Sequence, residues 1–265
     1  MPGLDPRTLD ARSLRAPRAP HLRRERLTLA DGARTTLWVA RYELARTELR
    51  VVRLRRAAPL EAWCEGEGLR EALVGGFYLR DPGGPIPLGE LRTRGIARRY
   101  VPFAAPFDAE RACVHAFRGQ VRIAPRPEIE AQPRGDLLQA GPLLVRSGHV
   151  VYVDGEDREG FSASAHQFDS DITAERHPRA ALGVTDRHLL AVACDGRARG
   201  DAGLTLGELA LALTEFGAID ALNLDGGGST SLVCGGRLCN RPREAHGVDL
   251  AGGRPITTAL VFTPR

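Results

Sequence analysis

The stretch A-L-N-L-D-G-G-G-S-T-S-L-V at residues 221–233 decides how the rest of the chain is interpreted. Its first half belongs to the apolar run Ile219–Leu224, which is typical of a buried strand, and this run ends on Asp225 and three consecutive glycines. Three glycines in a row are unfavourable for stability, because each loses much backbone entropy on folding. They are expected where a backbone approaches another group closely or presents its N–H groups as a nest for an anion. The stretch is therefore either a glycine-rich turn between strands or a binding loop at the end of a strand.

Four polar side chains accompany the glycines. Asn223 and Asp225 end the first predicted strand, and Ser229 and Thr230 lead into a second short strand, Ser231–Cys234. The loop is not a P-loop, because that motif requires a lysine at a fixed spacing. All 37 Lys+Arg residues are arginine, which excludes lysine Schiff-base chemistry and a pyridoxal-phosphate enzyme. An anionic ligand must therefore be held by arginine side chains, backbone N–H groups or a metal.

The composition is that of an ordinary soluble globular protein. The chain has 265 residues, of which 43% are hydrophobic and 26% are charged, enough to bury a core as one large domain or two small ones. The net charge of +4 favours anionic partners, but the arginines are dispersed and aromatic residues make up only 5%, so no nucleic-acid partner is expected. No apolar run approaches membrane-spanning length, and the N-terminus has no signal-peptide pattern. We therefore expect a cytoplasmic protein without a membrane partner.

The five cysteines are expected to be reduced thiols. Their number is odd and no two of them form a C-x-x-C pair. Cys234 and Cys239 flank the glycines of a predicted hairpin, where a disulfide or a zinc site is the less favoured alternative. Asp195 and Asp225 do not have the spacing of a metal-ligand set, so neither a metal nor a cofactor is expected.

Local patterns divide the chain into an arm and one folded domain. Residues 1–24 are rich in Pro, Arg and Ala and are predicted to be a flexible arm, and residues 25–265 are predicted to form the domain. Asp31-Gly32 lies between two strand-like runs, which indicates a hairpin. Gly75-Gly76 interrupts another strand, which indicates a bulge or a close approach of the backbone to a neighbour.

The second half of the chain carries the clearest helix. Thr205 and Glu208 form a capping box, the residues to Phe216 present one apolar face, and Gly217 is a natural stop. This helix leads into the strand Ile219–Leu224. The many short strands and few helices predict an α+β fold: a single domain with a mixed β-sheet core and a few flanking helices.

Several ordered motifs resemble those of the phosphodiester glycosidase family. The segment N-L-D-G-G-G-S-T at 223–230 resembles the signature of that family. Further segments between about residues 70 and 262 match in the same order: G-G-F-Y at 75–78, G-P at 141–142, R-H-P-R-A-A-L-G at 176–183, D-G-R at 195–197, the helix entry G-L-T-L-G-E-L at 203–209, and R-P-I at 254–256.

The resemblance implies hydrolysis of a sugar-1-phosphodiester similar to an N-acetylglucosamine-1-phosphodiester. The glycosidic C–O bond would break, releasing free sugar and a phosphomonoester. Glycoside hydrolysis usually uses two carboxylates, and Asp225 and Asp195 are the candidates, with their acid and base roles left open. The candidate substrate-binding residues are Arg176, Arg179, Arg197 and the N–H groups of Gly226, Gly227 and Gly228 for the phosphate, Asn223, Ser229 and Thr230 for the sugar's polar groups, and Phe77 and Tyr78 for its face.

Two other functions remain open from the sequence. Val74 stands where the family usually has an asparagine before Gly-Gly-Phe, which is compatible with a non-catalytic module that binds a sugar phosphate or an envelope polysaccharide. A nucleic-acid binder is suggested only by the isoelectric point near 9.0. His166, His177 and His188 are expected to be exposed polar residues rather than catalytic bases, because no partner is identifiable for any of them.

Overall fold

The computed structural model describes residues 20–162, 167, 172–173 and 175–265. In this part of the chain there are nineteen β-strands and two α-helices, numbered here in chain order. The predicted α+β class with a single domain is confirmed. The sheets are antiparallel rather than mixed, however, and parallel pairing among the described residues is limited to the isolated bridge between Leu88 and Val101. Short turns join many neighbouring strands, and such turns allow antiparallel pairing only.

The largest sheet has seven strands and carries the first half of the decisive stretch. Its strands, in spatial order, are β1 (His21–Thr28), β2 (Arg34–Glu43), β15 (His188–Cys194), β14 (Arg179–Val184), β16 (Asp220–Asn223), β12 (Leu143–Arg146) and β13 (His149–Val150). The predicted hairpin at Asp31-Gly32 joins β1 to β2. Because β1 begins at His21, residues 21–24 of the predicted arm are paired strand, and residues 1–19 of that arm lie outside the described residues.

Two five-stranded sheets and one short ribbon complete the β structure. One sheet has the order β10 (Gln120–Pro125), β9 (Ala112–Phe117), β11 (Asp136–Gln139), β7 (Leu91–Thr93) and β8 (Ile96–Ala97). The other has the order β18 (Arg237–Leu238), β17 (Leu232–Cys234), β4 (Ala72–Val74), β19 (Ile256–Pro264) and β3 (Thr47–Ala58). The ribbon pairs β5 (Tyr78–Leu79) with β6 (Ile86–Pro87).

The helices lie outside the sheets and cover their faces. Helix α1 spans Leu60–Gly66, and α2 spans Leu206–Glu215. The capping box predicted for α2 is present, since the Thr205 hydroxyl accepts from the backbone N–H of Glu208 and the Glu208 side chain accepts from that of Thr205. The apolar face of α2 packs on the seven-stranded sheet in a core separate from the larger one between the sheets.

The ends of three strands meet at the glycine loop. The carbonyl of Gly75, directly after β4, accepts a hydrogen bond of 3.0 Å from the backbone N–H of Asp225. The carbonyl of Asn223, at the end of β16, accepts one of 3.1 Å from Gly141. A Cβ atom on Gly75 would lie 2.5 Å from the hydroxyl oxygen of Thr258, so the close approach predicted at Gly75-Gly76 is real. This junction fixes where the signature loop stands.

Candidate active site

A cleft opens where these strand ends converge. It measures about 820 Å³, counting the part open to solvent. The charged and titratable side chains among its described lining residues are Arg80, Arg179, Arg197, Arg254, His177, Tyr78 and Asp225. Four guanidinium groups therefore surround one carboxylate, and this balance suits an anionic ligand.

Asp225 directly precedes the glycine loop and lines the cleft. Its own Oδ1 accepts a hydrogen bond of 2.9 Å from the N–H of Gly226, and the side chain is half-buried. Gly227 adopts a φ of +58°, and a Cβ atom on Gly228 would lie 2.9 Å from the Glu244 carboxylate. The glycines are thus required by backbone conformation and close packing, and they hold the Asp225 carboxylate beside the cleft.

The anion nest expected from the three glycines is not formed by their first two N–H groups. The Gly226 N–H donates to Asp225, and the Gly227 N–H donates to the carbonyl of Pro178 at 2.9 Å. Both glycines do line the cleft, whereas Gly228 is buried behind it. The positive potential of the site therefore comes from arginine side chains rather than from a row of backbone donors.

Arg179 and Arg197 reach the cleft from neighbouring strand ends. Arg179 begins β14 and is 3% exposed; its Nε donates to the carbonyl of Leu204 at 3.0 Å, and its Nη2 donates to that of Glu175 at 2.8 Å. Burial lowers the pKa of Arg179 to about 10, so the group is still charged at neutral pH. Arg197 follows β15, donates to the carbonyl of Arg243 at 3.2 Å, and has its pKa lowered by burial. Internal contacts thus position both predicted arginines at the cleft.

Arg254 is a cleft residue that the sequence analysis quoted only as part of a motif. Its Nε and Nη2 bind the two carboxylate oxygens of Glu244 at 2.8 and 2.5 Å. This pairing raises the pKa of Arg254 and lowers that of Glu244. The backbone N–H of Arg254 also donates to the carbonyl of Gly228 at 2.8 Å, so the closing R-P-I motif is held against the glycine loop. The position of that motif was a signal that the sequence analysis did not use.

His177 was predicted to be exposed and polar, and this was wrong. It is half-buried, lines the cleft, and places its Nδ1 3.4 Å from Nη2 of Arg197. Its backbone forms two 3.1 Å hydrogen bonds with Leu204, which fix its position before β14. His188 is half-buried at the start of β15 and does not line the cleft, and His166 lies outside the described residues.

Two aromatic side chains form one wall. Phe77 is 5% exposed and packs against Phe103 and Phe161, with ring centroids 6.4 and 5.8 Å away. Tyr78, on β5, is half-buried and presents its hydroxyl close to Ser229 and Arg254. Burial raises the pKa of Tyr78, and the negative charge of Asp225 adds to this. The phenol therefore stays protonated and available as a hydrogen-bond donor beside Asp225.

The remaining polar residues of the signature lie deeper. Asn223 is 1% exposed, and its Nδ2 donates to the carbonyl of Gly141 at 2.9 Å, which orients the amide at the edge of the cleft. Ser229 and Thr230 are fully buried and do not line the cleft. The structure therefore places Asn223 next to the ligand space and the two hydroxyl residues behind the loop.

Asp195 is not brought to the cleft. It is 4% exposed, and its Oδ2 accepts from the indole N–H of Trp38 at 3.0 Å while its Oδ1 accepts from the backbone N–H of Arg241 at 2.6 Å. Burial raises the pKa of Asp195. Both carboxylate oxygens thus connect β2, the end of β15 and the segment after β18, which is a structural role. The pair of carboxylates expected from the sequence is not assembled from these two residues.

Arg176 likewise has a structural position. Its guanidinium binds Glu208 through Nε at 2.9 Å and Nη2 at 2.5 Å, and Asp31 through Nη1 at 2.6 Å. These contacts raise the pKa of Arg176. The side chain ties the first turn of α2 to the β1–β2 hairpin and does not line the cleft.

Val74 does not face the ligand space either. It is fully buried in the larger core and pairs with Ala259 of β19. Val74 is not among the described lining residues of the cleft, so the departure from the asparagine of the family lies in the core.

The cysteines and the other side chains that could bind a metal are dispersed in the described residues. All five cysteines are free thiols, including Cys234 and Cys239 on the β17–β18 hairpin. In the described residues, no group of three or more His, Cys, Asp or Glu side chains is arranged to hold a metal ion. None of the described helices is long and apolar enough to cross a membrane.

Comparisons with known proteins identify the family and the fold of the chain. The sequence profile of the phosphodiester glycosidase family matches residues 67–263. The solved structures of similar fold include the catalytic domain of zebrafish N-acetylglucosamine-1-phosphodiester alpha-N-acetylglucosaminidase, auto-inhibited by its pro-peptide, with a TM-score of 0.69, 18% identity, and coverage of 93% of this chain and 83% of that one.

Two further structures have the same fold. A hypothetical protein from Synechocystis gives a TM-score of 0.61 at 19% identity, covering 93% of this chain and 62% of that one. A putative exported protein from Burkholderia pseudomallei K96243 gives a TM-score of 0.59 at 15% identity, covering 88% of this chain and 74% of that one. At such identities these structures establish the fold and leave the activity open. No curated protein matches the chain in sequence.

Proposed function

Because the chain belongs to the phosphodiester glycosidase family, we propose that it hydrolyses the glycosidic C–O bond of a sugar-1-phosphodiester and releases free sugar and a phosphomonoester. The observation that carries this proposal is the cleft itself, in which four arginines surround the one carboxylate of the described lining. Glu244 is paired with Arg254, and the cleft offers the remaining guanidinium groups to an anion, with the Asp225 carboxylate beside them.

The phosphodiester binds to the arginines. A phosphodiester has one fixed negative charge and two non-bridging oxygens, which accept hydrogen bonds from guanidinium N–H groups. Arg179 and Arg197 come from adjacent strand ends and have partly desolvated guanidinium groups, which strengthens their attraction for an anion. Arg254 approaches from the other side of the glycine loop, and His177, beside Arg197, lies on the phosphate side of the cleft.

The chemistry requires one carboxylate in this arrangement. A water oxygen forms a bond to the anomeric carbon, the bond from that carbon to the phosphate oxygen breaks, and the electron pair leaves on the phosphomonoester. The water gives up a proton, which Asp225 accepts, and the same negative charge stabilises the oxocarbenium-like transition state. A phosphate oxygen is a good leaving group without protonation, so a second carboxylate acting as acid is not needed. This fits a cleft that contains Asp225 and lacks Asp195.

The sugar binds against the aromatic wall. Phe77 and Tyr78 offer an apolar face for the ring, and the Tyr78 hydroxyl, held protonated by burial, can donate to a sugar oxygen. Asn223 borders this space. An N-acetylglucosamine-like sugar is the first candidate because of the family, and its identity is part of the proposal.

The deciding experiment is hydrolysis of a panel of sugar-1-phosphodiesters in oxygen-18 water by the full chain and by Asp225→Asn. We expect the label on the anomeric oxygen of the free sugar, and a loss of about 10²–10⁴-fold in kcat for the variant. Label in the phosphate would mean P–O cleavage and would refute the glycosidase assignment. Saturable binding of a sugar phosphate with no turnover across the panel would favour the non-catalytic binding module.

A further inference from the structure

A second groove, separate from the cleft, is also lined by arginines. It lies between β3 and the β7–β8 hairpin and measures about 930 Å³, partly open to solvent. Its apolar lining residues are Val51, Val52 and Leu54, and its basic lining residues are Arg50, Arg53 and Arg55 from β3 and Arg94 and Arg98 from the hairpin. None of the described residues that line it is acidic.

Most of these guanidinium groups have no intramolecular counter-ion. Arg53, Arg55, Arg94 and Arg98 are exposed, and no carboxylate of the described chain lies within 4.0 Å of their side-chain nitrogens. Gathering like charges costs free energy through mutual repulsion. Arg50 is paired with Asp136 and Glu48. In a chain with 33 acidic residues available, the four other arginines, which line a groove without acidic lining residues, favour an anionic partner.

A buried carboxylate holds the two walls at a fixed spacing. Asp136 is 1% exposed; its Oδ2 accepts from Nε of Arg50 at 2.7 Å and from the backbone N–H of Val51 at 3.0 Å. Its Oδ1 accepts from the backbone N–H of Arg94 at 2.6 Å. This one buried side chain thus joins β3 to the hairpin, so the groove is preorganised, which lowers the entropic cost of binding.

Protection of a sheet edge explains only part of the pattern. β3 is an edge strand, and charged side chains on such strands discourage pairing with other chains. Arg94 and Arg98 flank β8, the edge strand of the other five-stranded sheet, and line the opposite side of the same groove. Acidic residues would protect both edges equally well, yet none of the described lining residues is acidic. Basic groups on both walls match a narrow anionic chain that lies between them.

We propose that this groove binds a linear chain of phosphate-linked units, and that the substrate of the cleft is such a polymer rather than an isolated small phosphodiester. This identification of the anion rests on the proposed function. Arg53 pairs with Thr258 of β19, which lies opposite Gly75, so the groove is two strand spacings, or about 10 Å, from the residue that holds the Asp225 backbone. The groove lining has no aromatic residue on which bases could stack, which disfavours a nucleic acid. Its concave shape disfavours a flat membrane surface.

The test uses short linear polyphosphate as the probe and three full-length proteins. These are the parent chain, the groove variant Arg53→Gln/Arg94→Gln/Arg98→Gln, and a matched control with equal charge loss at exposed arginines elsewhere, Arg118→Gln/Arg187→Gln/Arg237→Gln. Affinity is measured calorimetrically over a range of salt concentrations. We expect the groove variant to lose at least about tenfold in affinity, with a fall of about 2 in the slope of log K against log salt for three lost phosphate contacts. The control should lose less than about twofold.

Turnover of a small sugar-1-phosphodiester separates this inference from the proposed function. The groove variant should retain it within about twofold, because none of its three changes lies in the cleft. If no sugar-1-phosphodiester, small or polymeric, is turned over but the groove variant still loses polyphosphate binding, the proposed function fails and the groove stands. Equal losses of polyphosphate affinity in the groove variant and the control variant, or no loss of affinity in either, would overturn the groove assignment. Equally tight, groove-dependent binding of a single-stranded oligonucleotide or of anionic vesicles would overturn the choice of a phosphate-linked chain.

Discussion

Asp195 and Asp225, the two aspartates that the sequence predicts to be catalytic, should differ in their effects on stability and on turnover when each is changed to asparagine. In Asp195→Asn the amide presents one oxygen and one NH₂ group to two fixed donors, the Trp38 indole and the Arg241 backbone N–H. One buried donor therefore loses its acceptor, at a cost of about 1–3 kcal/mol. The lower part of this range is expected, because the amide also removes a charge whose burial raises the pKa of Asp195.

For a chain of this size, a loss of about 1–2 kcal/mol corresponds to a fall in Tm of roughly 2–8 °C. The turnover number of Asp195→Asn, measured well below its Tm, should stay within about threefold of the parent. Asp225→Asn should show the reverse: a Tm close to that of the parent and a fall in kcat of about 10²–10⁴-fold. Scanning calorimetry and steady-state kinetics on the same preparations measure both quantities.

One result would refute this reasoning. If Asp195→Asn lost more than about 100-fold in kcat while keeping the parent Tm, Asp195 would act on the substrate. The hydrogen bonds to Trp38 and Arg241 would then be contacts that orient a catalytic group, and the pair of carboxylates expected from the sequence would be restored.

Three further outcomes are expected. Arg254→Gln should lower kcat/KM for a sugar-1-phosphodiester by about 10–150-fold, since a hydrogen bond to a charged group contributes about 1.5–3 kcal/mol. Arg176→Gln, by contrast, should leave KM unchanged. Steady-state kinetics on both variants measures these values. Burial by itself raises the pKa of Glu208, but the hydrogen bonds from Arg176 and Thr205 outweigh it, so the pKa in the folded protein is lowered. The Glu208 contribution to stability is therefore present above the ordinary value of about 4.3 and is lost as the pH falls through the lowered value; denaturant unfolding from pH 6 to 3 should show this loss, and Arg176→Gln should weaken it. Val74→Asn should cost about 1–3 kcal/mol of unfolding free energy, because it buries an amide in an apolar core, and an altered KM at unchanged stability would contradict the core position of Val74.

Much of the site was predictable because its residues are close in sequence or belong to ordered motifs. Asn223 ends one strand, Asp225 and the three glycines follow it, and the structure places Asn223, Asp225, Gly226 and Gly227 at the cleft. Arg179, Arg197, Phe77 and Tyr78 were also expected there and line it. The sequence also predicted that these positions require glycine. The structural reason is close packing and a positive φ rather than an anion nest.

Side-chain partners were not predictable in the same way. Arg176 and Arg179 are three residues apart in one motif, yet Arg179 lines the cleft and Arg176 binds Glu208 and Asp31, residues distant in the sequence. His177 was misjudged because its neighbour Arg197 lies twenty positions along the chain. Such pairings depend on which strands become adjacent and in what register.

The sequence by itself determined the local elements and the family. The Thr205 capping box, the hairpin at Asp31-Gly32 and the strand before Asp225 follow from propensity, periodicity and turn chemistry, which act over a few residues. The tertiary structure alone decided which charged groups meet a ligand. It turned Asp195 toward Trp38 and Arg241 and brought Arg254 to Tyr78 and the glycine loop. The physical reason is that electrostatic and hydrogen-bond partners are set by distances of a few ångströms in space, and the pairing of strands far apart in the sequence fixes those distances.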